Sequence, residues 1–163
     1  MARIPTSIKR RLSRLRRRRQ KAVQWPNQIR STTPFRFDAS LRIAGVGELH
    51  EEIARTTGIL ATRSHKKGET HGFVRKRVWS EDLWILDSPL GEQASPDEHL
   101  QWLWKTVSPH KAYFSALVAK ATWADVCLGC LSESAYPLLV ADSKSLTLLR
   151  ELNIGLSFNF TCL

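Results

Sequence analysis

Acidic residues are missing from the start of this chain, and long apolar runs are missing from all of it. Residues 1–30 hold no aspartate or glutamate but eleven basic side chains: Arg3, Lys9, Arg10, Arg11, Arg14, Arg16, Arg17, Arg18, Arg19, Lys21 and Arg30. The whole 163-residue chain has 25 Lys+Arg against 15 Asp+Glu, a formal +10, so everything after residue 30 carries 14 basic and 15 acidic groups. A uniformly basic globule is excluded; the pattern is a near-neutral domain behind a basic arm. No stretch approaches the roughly 20 apolar residues of a membrane span. No apolar segment follows the N-terminal charges, which argues against a secretory or twin-arginine signal and leaves a mitochondrial transit peptide open. Cysteine is scarce as well. Cys127, Cys130 and Cys162 are too few, and odd in number, for a disulfide framework, and a reducing cytoplasm is the simplest setting.

The motifs that announce common chemistries are also lacking. There is no G-x-S-x-G nucleophile elbow and no phosphate-cradling G-x-x-x-x-G-K-[ST]. His50-Glu51-Glu52 begins a zinc-protease motif, but Ala54 stands where its second histidine belongs. Cys127-x-x-Cys130 has no second knuckle to complete a zinc site. It also falls in a candidate strand, where an odd separation sends the two thiols to opposite faces. Ser132-Glu133-Ser134 has no base near it in sequence. No metal, cofactor or catalytic residue is implied.

Hydrophobic residues make up 42% of the chain, enough for a core, and the length favours one domain. Within the arm, Ile8, Leu12 and Leu15 share helical spacing; Trp25-Pro26 and Ser31-Thr32-Thr33-Pro34 read as linker. The arm and linker are placed at 1–33 and the domain at 34–163. From Phe35 the period becomes two. Phe35, Phe37, Ala39, Leu41 and Ile43 alternate with Arg36, Asp38, Ser40 and Arg42, a half-buried strand. A short helix with Leu49 and Ile53 on one face ends at Gly58, and residues 61–77 read as a polar loop. Leu83–Leu86 reads as a second strand. Ser95-Pro96-Asp97-Glu98 opens a helix through a capping box, with Leu100, Leu103, Trp104 and Val107 at helical spacing. Ser108-Pro109 restarts a helix bearing Tyr113, Phe114 and Leu117. A third strand covers Thr122 to Leu131, and Asp142 caps a last helix with Leu146, Leu149 and Leu152. The chain closes on Ile154, Leu156, Phe158, Phe160 and Cys162 alternating with small polar residues. That stretch has no charge, which points to a central strand. The economical architecture is α+β: a four-stranded, mostly antiparallel sheet with helices packed on one face, ferredoxin-like in outline. No internal repeat is present.

From about Phe35 to Leu163 the sequence resembles a bacterial family catalogued as domain of unknown function 4279. The resemblance rests on Gly58-Ile59, Thr62-Arg63-Ser64, the Lys67-Gly68-Glu69 turn, Trp84 with Ser88, Glu98-His99-Leu100, and Leu152-Asn153-Ile154 leading into the final strand. It lies in their order and spacing. The family has no established activity, so it implies an architecture and no catalytic residues. The basic arm falls outside it.

Three surfaces are candidates for function. The loop holding Arg63, His65, Lys66, Lys67, His71, Arg75, Lys76 and Arg77 concentrates donors for a phosphate or carboxylate, and Gly68 and Gly72 let backbone N–H groups approach an anion. The bland alternative is a solvated loop whose charges offset Glu69, Glu81 and Asp82. Trp79, Trp84, Trp104 and Trp123 read as core, with indole N–H groups at its rim, but Trp102 lies off the Leu100–Leu103–Trp104–Val107 face and marks a candidate partner patch. In the arm, Arg10, Arg11, Arg16, Arg17, Arg18 and Arg19 suit phosphates of nucleic acid without sequence specificity, and equally acidic lipid headgroups or an acidic protein. The leading expectation is a non-catalytic binding or protein-interaction module whose partner is a protein or small anionic ligand. Nucleic-acid binding through the arm is the alternative, and an enzyme using His65 or His71 comes third.

Overall fold

The computed structural model describes residues 35–72, 76–133 and 139–162. The arm residues, Arg75 and Ser134 lie outside the described residues. β1 (Arg36–Ala44) leads through a 3-10 turn at Gly47–Leu49 into α1 (His50–Thr57). Gly58 ends α1 at φ 72°, the left-handed conformation that glycine adopts without a Cβ penalty. Three short strands follow, β2 (Arg63–His65), β3 (Thr70–His71) and β4 (Arg77–Val78), and then β5 (Leu83–Asp87). α2 (Pro96–Val107) starts on the expected capping box, with Ser95 accepting from the Glu98 N–H and Glu98 reaching back to the Ser95 N–H. A 3-10 turn over Ser108–His110 passes into α3 (Lys111–Val118), followed by β6 (Trp123–Ser132), α4 (Thr147–Leu152) and β7 (Gly155–Cys162).

The protein is α+β, but its sheet has five strands rather than four, in the order β2-β5-β1-β6-β7. The extra strand, β2, comes from the segment read as loop. Three residues with no apolar alternation carry no strand signal. What holds them is pairing with β5, with Arg63 opposite Ile85 and His65 opposite Leu83. β3 and β4 form a separate two-stranded ribbon. The sheet is mixed, since β6 and β7 run parallel across the α4 connection while the other neighbours are antiparallel. β7 is a second correction: among the described strands, the uncharged strand sits at the edge, not the centre. Asp142 is a third. It does not cap α4, whose N-cap position is Leu146; it accepts from the Lys144 N–H (2.8 Å) and so shapes the preceding turn.

The register places Leu41 between Leu86 and Val126, and Ile43 between Trp84 and Ala124. This face is buried beneath Ile53 of α1, Leu100, Leu103 and Val107 of α2, Phe114 and Leu117 of α3, and Leu148 and Leu152 of α4. All the described helices therefore share one face, and the other face of the sheet is largely polar, with Leu83, Ile85 and Trp123 among its apolar members. Of the tryptophans read as core, Trp84 is fully buried; Trp79 and Trp123 lie outside the core cluster. Among the described residues no helix is long and apolar enough to cross a membrane.

Candidate functional site: the open face of the sheet

Strand alternation that turns Ala39, Leu41 and Ile43 inward turns Arg36, Asp38, Ser40 and Arg42 outward. Their cross-strand neighbours extend the row. Arg42 lies between Ile85 and Asp125, Ser40 between Asp87 and Cys127, and Asp38 beside Gly129, which in turn neighbours Asn159 of β7. Ile85 is an apolar member of this face, opposite both Arg42 and Arg63. It is only 7% exposed, as expected when aliphatic arginine stems lie over an apolar neighbour.

Two charged clusters on this face are closed by the chain itself. Asp87 accepts two hydrogen bonds from Arg63, from Nε at 2.8 Å and Nη2 at 2.7 Å. The Ser40 hydroxyl donates to it at 2.6 Å and the Thr62 hydroxyl at 2.8 Å. Burial pushes the Asp87 carboxyl up, but the bonds from Arg63, Ser40 and Thr62 outweigh it and hold the pKa down at about 2. Asp125 holds Arg42 in the same forked manner, from Nε at 2.8 Å and Nη2 at 2.6 Å, and Arg42 also donates to Ser157 at 3.0 Å. That hydrogen-bonded carboxylate raises the Arg42 pKa against the opposing effect of burial. The guanidinium lies 5.4 Å from the Trp123 ring centroid, within cation–π range.

The third aspartate is different. Asp38 carries no hydrogen bond or ion pair to any described residue. Its carboxylate lies over Gly129, where an added Cβ would stand 2.4–2.6 Å from the carboxylate atoms. Beside it opens a recess of about 200 Å³ lined by Arg36, Asp38, Glu92, Gly129, Asn159 and Thr161, among others. Arg36 is drawn toward Glu92 at 3.7 Å at the solvent-exposed rim. The recess offers the exposed Asp38 carboxylate, an amide and a hydroxyl, a set suited to a hydrogen-bonding cation. No motif pointed to it. The available signal was Gly129, an isolated glycine inside a strand pattern, which marks a close approach of another group.

Most of the loop residues singled out from sequence have partners within the chain. Arg63 is taken by Asp87. The backbone N–H groups of Lys66 and Lys67 are capped by the carboxylates of Glu69 (2.8 Å) and Asp82 (2.7 Å). Gly68 donates its N–H to the Trp79 carbonyl. His65 and His71 stack on Trp79 with ring centroids 3.7 and 3.9 Å away. Two rings at that distance cannot share one face of the indole, so Trp79 is sandwiched between them. The side chains of Lys66 and Lys67 remain exposed. Trp102 is half-buried and packs on the core, so its indole gives only part of itself to solvent. Arg10, Arg11, Arg16, Arg17, Arg18, Arg19 and Arg75 lie outside the described residues.

The other reactive groups are dispersed. Cys127 lies on the open face and Cys130 is buried toward the helices, and burial pushes the Cys130 thiol up. Among the described residues no group of three His, Cys, Asp or Glu could hold a metal ion. His50 is half-buried with Nε2 shielded and unpartnered, and burial lowers its pKa. His99 and Ser88 form a pair the sequence did not reveal, Nδ1 to Oγ 2.9 Å apart. His99 has no exposed surface, and burial lowers its pKa. The pair ties the segment after β5 to α2.

Comparison with curated proteins and with solved structures returned no match. A protein-family model does match, covering residues 33–163 and therefore most of the chain. By that match the chain belongs to the family described as domain of unknown function (DUF4279).

Proposed function

We propose that this chain is a binding module whose partner docks on the open face of the sheet and places a guanidinium or ammonium group in the recess at Asp38. One observation carries the reading: of the three aspartates of this face, Asp87 and Asp125 are half-buried and occupied, while Asp38 is exposed and unoccupied among the described residues. Asp87 and Asp125 each hold an arginine fork, with hydroxyl groups from Ser40 and Thr62 at one and Ser157 beside the other. Asp38, in a recess that also presents Asn159 and Thr161, holds no such fork among the described residues. A face whose aspartates twice receive a fork from within the chain leaves the exposed Asp38 carboxylate open to one from outside, and charge-assisted, bidentate pairs are the strong ones. Binding is favoured over catalysis because the described Ser88–His99 pair buries its base completely, so that base cannot meet a substrate.

The surface formed by the exposed Lys66 and Lys67 supports an anionic contact as a second element of the same module. Nucleic-acid binding is the alternative reading, and it rests on the eleven basic and no acidic residues of positions 1–30. Lack of a membrane-crossing helix among the described residues and the free thiols of Cys127 and Cys130 are compatible with a cytoplasmic setting.

Arginine methyl ester is a suitable probe of the recess. Titrated into ¹⁵N-labelled protein, it is expected to shift the amides of Asp38, Gly129 and Asn159 with a Kd of order 1 mM, as for a single ion-paired contact. Asp38→Asn should abolish those shifts. Shifts centred elsewhere, or unchanged in Asp38→Asn, would overturn the reading.

A further inference from the structure

The two edges of the sheet differ in a way that bears on assembly. β2 is three residues long and carries Arg63 and His65, a short, charged edge that discourages strand addition. β7 is eight residues long, GLSFNFTC, with no charge and no proline. Among the described residues it pairs with β6 alone. Phe158 and Phe160 project from the helix-bearing side, 48% and 52% exposed, with ring centroids 6.0 Å apart and nearly parallel planes. A long, uncharged, apolar edge strand is a template for a further strand.

We infer that β7 pairs antiparallel with β7 of a second copy of this chain, about a two-fold axis through Asn159. The charge pattern selects this occupant. In a two-fold pair every residue meets residues of its own strand, so any charge on the strand lies near its own copy, and like charges directly opposite are destabilising. The uncharged β7 escapes that cost, and the charged β2 does not. The register follows from the side chains. With Asn159 opposite its mate, Phe158 faces Phe160 of the second copy and Phe160 faces Phe158, which closes four exposed rings into one cluster. On the other side Ser157 faces Thr161, a hydroxyl pair, and amide faces amide at the axis. Each position thus meets a chemical equal, the pairing that stabilises cross-strand contacts. A shift by one residue would oppose Phe158 to Asn159 or Thr161 and break every match. The dimer carries one continuous ten-stranded sheet, with both open faces on the same side.

Sedimentation velocity of the full chain tests this directly. Between about 5 and about 200 µM the wild type should shift from the 18.6 kDa monomer toward twice that mass. Phe158→Lys and Phe160→Asp each set a charge against an aromatic ring twice per dimer and should weaken association roughly tenfold or more. Mixing the two variants should restore a dimer. The lysine introduced at position 158 of one copy then meets the aspartate introduced at position 160 of the other, while the remaining Phe160 meets Phe158. Far-UV circular dichroism checks that each variant stays folded. Should either fail, wild-type amide exchange at the two concentrations decides, since Phe158 to Phe160 should gain protection at the higher one. A wild type that stays monomeric throughout overturns the inference and leaves the edge to another protein. Dimers insensitive to both variants, or variants that fail to complement, overturn the pairing.

Discussion

Replacing Asp87 with asparagine keeps the shape of the side chain and removes its charge, which isolates the electrostatic part of the cluster it shares with Arg63, Ser40 and Thr62. The carboxyl's pKa falls from its ordinary 3.8 to about 2 in the folded chain. A folded value below the unfolded one means that the stabilisation is complete above pH 3.8 and is lost as pH falls toward 2. A shift of that size corresponds to roughly 2.5 kcal/mol at about 1.4 kcal/mol per pKa unit; solvent screening of this partly exposed pair brings the expectation to about 1–2 kcal/mol. Urea denaturation of wild type and Asp87→Asn between pH 6 and pH 2 reads this directly. The variant should be less stable by about that amount at pH 6, and the gap should close toward zero near pH 2. Glu98 and Glu151 are also held below their usual range, by Ser95 and by Lys111 with Arg150 respectively, but they are present in both proteins and cancel in the difference. Two parallel curves, with a gap independent of pH, would refute the electrostatic account and leave only a packing role for Asp87.

Two further outcomes are expected. Ser95→Ala removes the Oγ that accepts from the Glu98 N–H and donates to Glu98 Oε2, leaving only the backbone half of the α2 capping box (Ser95 N–H to Glu98 Oε2), and should cost about 1 kcal/mol in thermal or urea denaturation, with Ser95→Asp recovering most of it. A destabilisation within error of zero would show that packing alone holds this helix start. If the arm binds nucleic acid, the full chain should be retained on heparin with a steep salt dependence, and deletion of residues 1–30 should abolish that retention; unchanged retention would sink the nucleic-acid reading.

The parts of the fold that were legible in the sequence are those where one local rule acts alone. The alternation from Phe35 to Ile43 marks β1 because every second side chain enters the core, and Ser95-Pro96-Asp97-Glu98 marks the start of α2 because its bonds close within four residues. Elements held by distant partners were silent. β2 owes its existence to β5, roughly twenty residues away, and its three polar residues hold no periodic signal. The open-face clusters are silent for the same reason. Arg42 and Asp125 are 83 positions apart, and nothing local says that they will be neighbours. The cationic loop was legible as composition but not as chemistry, since the Asp82 that caps the Lys67 N–H and the Trp79 that separates its histidines come from the far end of the same segment.

The edge position of β7 is instructive because the rule that failed was sound. Charges and prolines mark edges because natural edges need protection from other strands, and a strand without them is expected inside a sheet. Within one chain that inference is wrong, since β7 has β6 on one side and no described strand on the other. The rule, however, concerns the sheet that exists in solution. If two copies join through β7, the uncharged strand lies in the middle of ten, and the charged, three-residue β2 marks both outer edges. The absence of charge then records the assembly rather than the chain. This makes the complementation of Phe158→Lys by Phe160→Asp a test of the sequence rule as well as of the dimer. If β7 proves to be a solitary, unpaired edge at every concentration, the lack of charge in its sequence has no structural reason, and solubility must depend on the rest of the surface.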